Sequence, residues 1–324
     1  MFKLHEKTIK EISSLLKSFP EDFQKYLYNK YFGILGQDQF KLIDWQKFIE
    51  TNLNEDYYDD LINDIIENVD EQNRNTTIEK IQNTLAENEY DFKIFDDKYR
   101  ICIKGSFCLI YLTKENEYIY VNKRLIDYSQ KGKEFFDREK DVLAYIDRKN
   151  LCVSPKYISG NPDVIKMEKC EITLLDYILN GFKIEITQLI ELLTKINALH
   201  SAGILHRDLH PGNIMLQNKE LLIIDYNVAH YPFKSSQVTL EMHAGWKDYT
   251  DPIVYQNGLN SATKKSDIYS IGKLMNFIFT KDPNNDNHFL KGIVKKCVDD
   301  DQIVRYSHVY EIVIDIKKYL SPTF

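Results

Sequence analysis

Long apolar runs are missing from this chain of 324 residues, and with them any stretch of about 20 residues able to cross a bilayer as a helix. Glycine and proline are few, 12 and 8, which excludes collagen-like and Pro/Gly-rich disordered architectures. Cysteine is scarce as well. Cys102, Cys108, Cys152, Cys170 and Cys297 form no C-x-x-C pair and no Cys/His ligand cluster, so neither a disulfide scaffold nor a zinc module is expected. They read as free thiols of a reducing compartment. An excess of positive charge is lacking too: 42 Lys and Arg against 49 Asp and Glu leave −7, so nucleic acid is not the expected partner. The opening "MFKLHEKTIKEISSLLKSF" is amphipathic and charged throughout, unlike a secretory signal.

What is present is the composition of an ordered chain, 43% hydrophobic and 28% charged, long enough for two or three domains. Over residues 1–90 apolar residues recur at helical spacing: Ile9, Ile12, Leu15, Leu16 and Phe19; Phe23, Tyr26 and Leu27 after Pro20; Phe40, Ile43 and Phe48; Tyr57 to Val69; Ile78, Ile81 and Leu85. This segment holds 10 basic and 18 acidic residues, a net −8 that leaves +1 for the other 234. Eight carboxylates and no Lys or Arg lie in residues 55–71, a stretch that suits either a solvated helix face or the recruitment of a basic partner.

After residue 92 the period changes. "YRICIKG", "CLIYLT" and "YIYVNKRL" read as strands, with "KENE" as a hairpin connection. A helix follows over 131–148, then a short strand "VIKME" at 164–168. Helices dominate from Leu174 onward, interrupted by the apolar runs "NIML" and "LLIIDY". No internal repeat and no low-complexity segment is present.

The stretch "HRDLHPGN", His206 to Asn213, carries the chemistry. Phosphoryl transfer needs held phosphates, metal ions to neutralise charge, and a carboxylate to orient the attacking hydroxyl. Asp208 lies on a loop after the helical "LIELLTKINALH", Asn213 follows on the same loop, and Asp225 ends the apolar "LLII". Two carboxylates and an amide on adjacent loops can serve metal and hydroxyl together.

"LHSAGILHRDLHPGNIML" with "LLIIDYN" resembles the catalytic core of the eukaryotic-like protein kinase superfamily, Ser/Thr kinases above all. The resemblance implies Asp208 as catalytic base, Asn213 and Asp225 as metal ligands, and Arg207 as the residue answering a phosphate or carboxylate on the activation segment. Other pieces follow in family order over residues 99–320. "YVNK" resembles the third-strand lysine motif and gives Lys123 as the phosphate-gripping lysine; "REKDVLAYI" gives Glu139 as its helical partner. "VIKMEKCE" resembles the hinge, with Met167 as gatekeeper and the backbones of Glu168 and Cys170 offered to adenine. Ile103, Gly105, Ser106, Val121 and Met215 complete the implied nucleotide site. "SDIYSIG" supplies Asp267 to brace the catalytic loop, and Arg305 stands at the family's buried arginine.

Departures from the family pattern are as informative. The glycine-rich loop keeps only Gly105, since Ile103 and Cys108 replace the outer glycines, so unusual or weaker nucleotide binding is expected. "TDPIV" replaces Ala-Pro-Glu, and Ile253 cannot pair with Arg305, which points to Asp251 as its partner. His210 stands where Ser/Thr kinases have a lysine that steadies the transferring phosphate; "DLHPGN" also resembles aminoglycoside and choline phosphotransferases. Only "KDPNNDN" separates the Asp267 helix from the next, too little for a further docking helix.

The expected fold is therefore α+β: a bilobal kinase-like domain over 92–324, with a small antiparallel β lobe at 92–168 and a helical lobe at 169–324, after a helical domain at 1–91. The expected activity is ATP-dependent transfer, with Mg²⁺ or Mn²⁺, to Ser/Thr hydroxyls of the chain itself or of one protein partner, docked through the acidic helices. A small-molecule phosphotransferase and a nucleotide-binding scaffold are the alternatives. The expected location is the cytoplasm, or a host cytosol after delivery.

Overall fold

The computed structural model describes residues 6–32, 45, 46, 49, 58–86, 90–95, 97–158, 161–232, 246–281 and 288–320. The chain forms two compact units, Met1–Ile126 and Asp127–Phe324. No helix among the described residues is long and apolar enough to cross a membrane.

The first unit opens with helices α1 (Glu6–Ser18), α2 (Glu21–Phe32), α3 (Tyr58–Asn68) and α4 (Glu71–Ala86). The expected helix around Phe40 and Ile43 lies outside the described residues. Strands β1 (Tyr90–Phe95), β2 (Lys98–Lys104), β3 (Cys108–Glu115) and β4 (Tyr118–Leu125) follow as an antiparallel meander. The β3–β4 hairpin turns at Asn116, whose φ of 55° is left-handed backbone that asparagine tolerates. Strand β1 is additional to the expected three. "YDFKIF" alternates weakly, and only Phe92 of it is fully buried.

Helices and strands of this unit share one core: Ile9, Ile12, Leu16, Leu61, Ile65, Ile81 and Leu85 pack in the same cluster as Phe92 and Ile101. Polar contacts repeat the attachment. Asp59 accepts the Ile101 backbone N–H at 2.9 Å, and Asn63 both accepts from Tyr99 N at 3.0 Å and donates to Tyr99 O at 2.9 Å. One apolar cluster thus runs from these helices across residue 91 into β1 and β2. The acidic stretch is partly engaged within the unit. Besides Asp59, Asp64 accepts from Lys30 Nζ and Tyr31 Oη, and Asp60 lies 3.8 Å from Lys98 Nζ.

The second unit begins with α5 (Gln130–Arg148), whose N-terminus is capped by Ser129 Oγ accepting from Gly132 N at 3.1 Å. Strands β5 (Tyr157–Ile158) and β6 (Val164–Glu168) pair antiparallel. A three-stranded sheet of β7 (Ile172–Thr173), β8 (Ile214–Gln217) and β9 (Glu220–Ile223) carries the two apolar runs noted in the sequence. Helices α6 (Leu174–Leu179), α7 (Ile186–Ser201), α8 (Pro252–Asn257), α9 (Lys264–Thr280), α10 (His288–Cys297) and α11 (Val309–Leu320) make up the rest. Helix α9 starts with a Thr263–Ser266 capping box. The glycine of "SDIYSIG" has a packing reason: a Cβ on Gly272 would lie 2.6 Å from Cys297 Cβ and 2.7 Å from Val298 Cγ1. Only a residue without a side chain lets that segment approach α9. Helix α10 begins at His288, and α9 ends at Thr280, as the short "KDPNNDN" gap implied.

Candidate active site

Helix α7 and strand β8 bracket the loop His206–Asn213, and the loop is pinned from below by one carboxylate. Asp267, near the start of α9 and 1% exposed, accepts the backbone N–H groups of His206 and Arg207, each at 2.9 Å, and bonds His200 Nε2 at 2.8 Å. Burial alone would raise this carboxyl, but the His200 hydrogen bond and charge outweigh it and hold Asp267 below the usual carboxylate range. The bracing expected of Asp267 is present. Arg207 sits at φ 69° and Asp225 at φ 67°, left-handed backbone that costs a non-glycine residue roughly 1–2 kcal/mol and persists only where surroundings hold it.

Asn213 Nδ2 donates to the Asp208 carbonyl at 3.0 Å and to Asp208 Oδ2 at 3.2 Å, so amide and carboxylate are held as a unit. The Asn213 carbonyl in turn accepts the Ile224 N–H at 3.0 Å, which joins the loop to the end of β9. Asp225 follows, and its Oδ1 accepts from Asn227 Nδ2 at 2.8 Å. Second in importance is His206. Its Nε2 donates to Ile224 O at 3.0 Å, and its Nδ1 accepts the Asp208 N–H at 3.3 Å. That tautomer requires a neutral ring, and burial depresses the His206 pKa accordingly, against the opposing charges of Asp267 and Asp208.

The tyrosine of "DYN" is fully buried. Tyr226 Oη lies 2.7 Å from Ser154 Oγ, and burial pushes its hydroxyl up, with Glu139 adding to the shift. Glu139 is itself fully buried on α5. Arg207 is pushed down to about 10, chiefly by burial and in part by the guanidinium of Arg138, which donates to Ala229 O at 3.2 Å.

Of the residues that the resemblance implies for a nucleotide site, those in the second unit are placed as follows: Met167 and Glu168 end β6, Cys170 is buried just beyond it, and Met215 pairs with Thr173 in the small sheet. The Glu168 N–H donates to Lys156 O at 3.0 Å. The Cys170 thiol is pushed up to about 12 by burial. In the first unit, Val121 and Lys123 share one face of β4, opposite Leu112 and Ile110 of β3, and Lys123 is buried. Ile103 is the penultimate residue of β2, and Gly105 and Ser106 lie in the turn to β3. The Gly105 N–H bonds Cys108 O at 2.8 Å, and a Cβ there would come within 3.2 Å of that oxygen. The one retained glycine thus lies at a close approach within this turn.

Asp251 does several jobs. Its Oδ1 caps α8 by accepting from Ile253 N at 3.1 Å, with Pro252 at the first helical position. Its Oδ2 accepts from Gln302 Nε2 at 3.1 Å and Arg305 Nη1 at 2.7 Å. The expected Arg305 partner is confirmed, and "DPI" reads as a helix start. Sequence reasoning missed Asn227, Ser154 and Trp246, of which only Asn227 carried a signal, the two-residue spacing at which Asn and Asp side chains meet in turns. Of the hydroxyls between Tyr226 and Pro252, Thr250 is buried and donates to Trp246 O at 3.1 Å, while Ser235, Ser236 and Thr239 lie outside the described residues.

The protein kinase domain family matches residues 102–322. The chain is 30% identical over 187 residues to calcium-dependent protein kinase 6 of Plasmodium berghei, covering 55% of this chain and 12% of that protein. It is 27% identical over 202 residues to the probable serine/threonine-protein kinase PknB of Lactococcus lactis, covering 56% and 31%. A third similarity, 30% over 131 residues, is to the probable serine/threonine-protein kinase ireA of Dictyostelium discoideum, covering 39% and 13%. The chain thus matches under a third of each relative's length. Since the family match runs from β2 through the loop His206–Asn213 and Asp225 to the end of α11, the chain belongs to the protein kinase domain family.

Proposed function

We propose that this chain is a Ser/Thr protein kinase, acting from ATP on itself or on one dedicated protein partner. The observation that carries the reading is the Asp208–Asn213–Ile224 connection, which puts a carboxylate and an amide on one rigid loop tied to the segment that holds Asp225. Asp208 orients the acceptor hydroxyl and takes its proton. The oxygen–phosphorus bond forms to the γ-phosphorus as the bond to the β,γ-bridging oxygen breaks, its electron pair leaving on ADP. Lys123 grips the phosphates, and Glu139 serves as the partner of that lysine in the family scheme.

The donor set suits a hard cation: with Asn213 Nδ2 engaged by Asp208, its Oδ1 is the atom that remains for a ligand, and Asp225 supplies a carboxylate. Mg²⁺ or Mn²⁺ on Asn213 and Asp225 would neutralise phosphate charge. Ser/Thr selectivity draws support from the similar kinases of Lactococcus lactis and Dictyostelium discoideum, both probable serine/threonine-protein kinases. Five thiols without a disulfide, four of them buried, suit a cytoplasmic site of action. Docking of a basic partner by the acidic helices has little support, because Asp59, Asp60 and Asp64 face partners inside their own unit.

The test is incubation of the pure protein with γ-labelled ATP and Mg²⁺ or Mn²⁺. Label on Ser or Thr of protein is expected. Label only on an added aminoglycoside or choline, or nucleotide binding without any transfer, would overturn the reading.

A further inference from the structure

His210 is shorter than the lysine it replaces and cannot find its place by reach and charge alone. Its ring is instead fixed from three sides. Nδ1 accepts the Gly212 N–H at 3.1 Å, which leaves Nε2 as the protonated nitrogen of the neutral ring. A Cβ on Gly212 would press on the ring at 3.0 Å from Cε1, so the glycine keeps that edge clear. One face stacks on Trp246, centroids 4.6 Å apart and planes 12° from parallel, with Tyr249 tilted against both rings. Trp246 is anchored in turn. Its carbonyl accepts from Tyr249 N and Thr250 N, and Ser270 of α9 donates to Tyr249 O at 2.8 Å.

The ring so fixed places Nε2 at 3.7 Å from Asp208 Oδ2, too far for a hydrogen bond and near enough for both to reach one group. Among the described residues no acceptor lies within hydrogen-bond distance of that N–H, although His210 is only 8% exposed. A ring N–H that no described residue answers, held beside a carboxylate, can meet an oxygen that arrives with the substrate.

We propose that the Trp246–His210 stack is a clamp that aims His210 Nε2–H at the transferring phosphoryl oxygen beside Asp208, with His210 the catalytic donor and Trp246 its positioning residue. The proposal rests on the kinase reading above and assigns the donor that a lysine supplies elsewhere. Preorganised donors of this kind act because they need no rearrangement when charge develops. Lysine would not need the clamp, since a flexible ammonium finds the phosphate unaided.

The experiment uses full-length protein, γ-labelled ATP and Mg²⁺, and reads initial self-phosphorylation rate and the KM for ATP in His210→Ala, His210→Lys, Trp246→Phe, Trp246→Ala and the two doubles carrying Trp246→Ala. Loss of one such donor lowers turnover by about 10²-fold, and His210→Ala should do so with little change in KM. Trp246→Ala should lower turnover about tenfold through misplacement, and Trp246→Phe should restore most of it. Added to His210→Ala or His210→Lys, Trp246→Ala should have no further effect, because its work is done through the imidazole.

Emission gives a second readout, because the chain has two tryptophans. In a Trp45→Phe background, His210→Ala should change Trp246 emission as the stacked ring is lost. Normal turnover in His210→Ala, additive losses in the double variant, or unchanged emission overturns the clamp alone. Wild-type protein that transfers no label overturns the kinase reading and the clamp with it.

Discussion

Arg305 Nη1 donates to Asp251 Oδ2 at 2.7 Å between side chains that are 1% and 0% exposed. Three further guanidinium contacts, Nε to Asp299 O at 2.6 Å, Nη1 to Lys265 O at 3.3 Å and Nη2 to Asp251 Oδ1 at 3.3 Å, complete the arrangement. Breaking a buried pair from one side leaves a charge with no solvent to answer it, at about 3–5 kcal/mol. Arg305→Met and Asp251→Asn should each lower the unfolding free energy measured in urea by that order. The double variant should recover part of the loss, and strict additivity of the two would contradict the pairing.

Asp208→Asn and Asp225→Asn should both stop phosphoryl transfer, for separable reasons. Asp208 addresses the hydroxyl, so its variant should keep a thermal shift with Mg²⁺ and ATP. Asp225 is the proposed metal ligand, so its variant should lose the Mg²⁺-dependent part of that shift. Transfer surviving in Asp208→Asn would remove Asp208 from the mechanism.

Burial raises the Asp59 carboxyl to about 6, against the opposing hydrogen bond from Ile101 N–H and the charge of Arg100. A raised folded-state pKa means that the native state binds the proton more tightly than the unfolded chain. This group therefore costs stability progressively as pH rises from about 4 to about 6, and the full penalty remains above that window. The penalty is on the order of 2–3 kcal/mol. Asp59→Asn should flatten this part of the pH profile and be no less stable than wild type at pH 7. Urea unfolding at pH 4.5 and pH 7 checks both points; a variant markedly weaker at pH 7 would show that the charge on Asp59 is needed by Arg100, 3.7 Å away.

A chain beginning at Tyr90 should not fold as a competent kinase. It would expose Phe92 and Ile101 and leave the Tyr99 and Ile101 amides without Asn63 and Asp59. Loss of cooperative unfolding is the expected result. A truncated chain that still shows a sharp transition and a nucleotide-dependent shift would mean that the helices are dispensable for the fold.

The placement of Asp208, Asn213 and Asp225 was legible because it rests on short, fixed spacings: Asp208 to Asn213 on one loop, and an acid closing the apolar run of β9. Asp251 was legible by elimination, since Ile253 could not pair with Arg305. Strand β1 escaped notice because only one of its residues is fully buried, so the alternation that marks a half-buried strand is faint. The shared core of helices and first strands escaped for another reason. Each helix advertises an apolar face, but nothing in local periodicity says what that face will cover. The Trp246–His210 stack joins residues far apart in sequence, and a single tryptophan in a loop carries no pattern.

The joint core of α1–α4 with β1 and β2 also bears on descent. Residues buried against one another must change together, so a genetic exchange with its breakpoint between α4 and β1 would separate a surface from its cover and yield two defective products. The N-terminal helices and the first kinase strands are therefore expected to be inherited as one block. In chains descended from this one, substitutions at Ile81 or Leu85 should be accompanied by compensating changes at Phe92 or Ile101 more often than by changes within the catalytic loop.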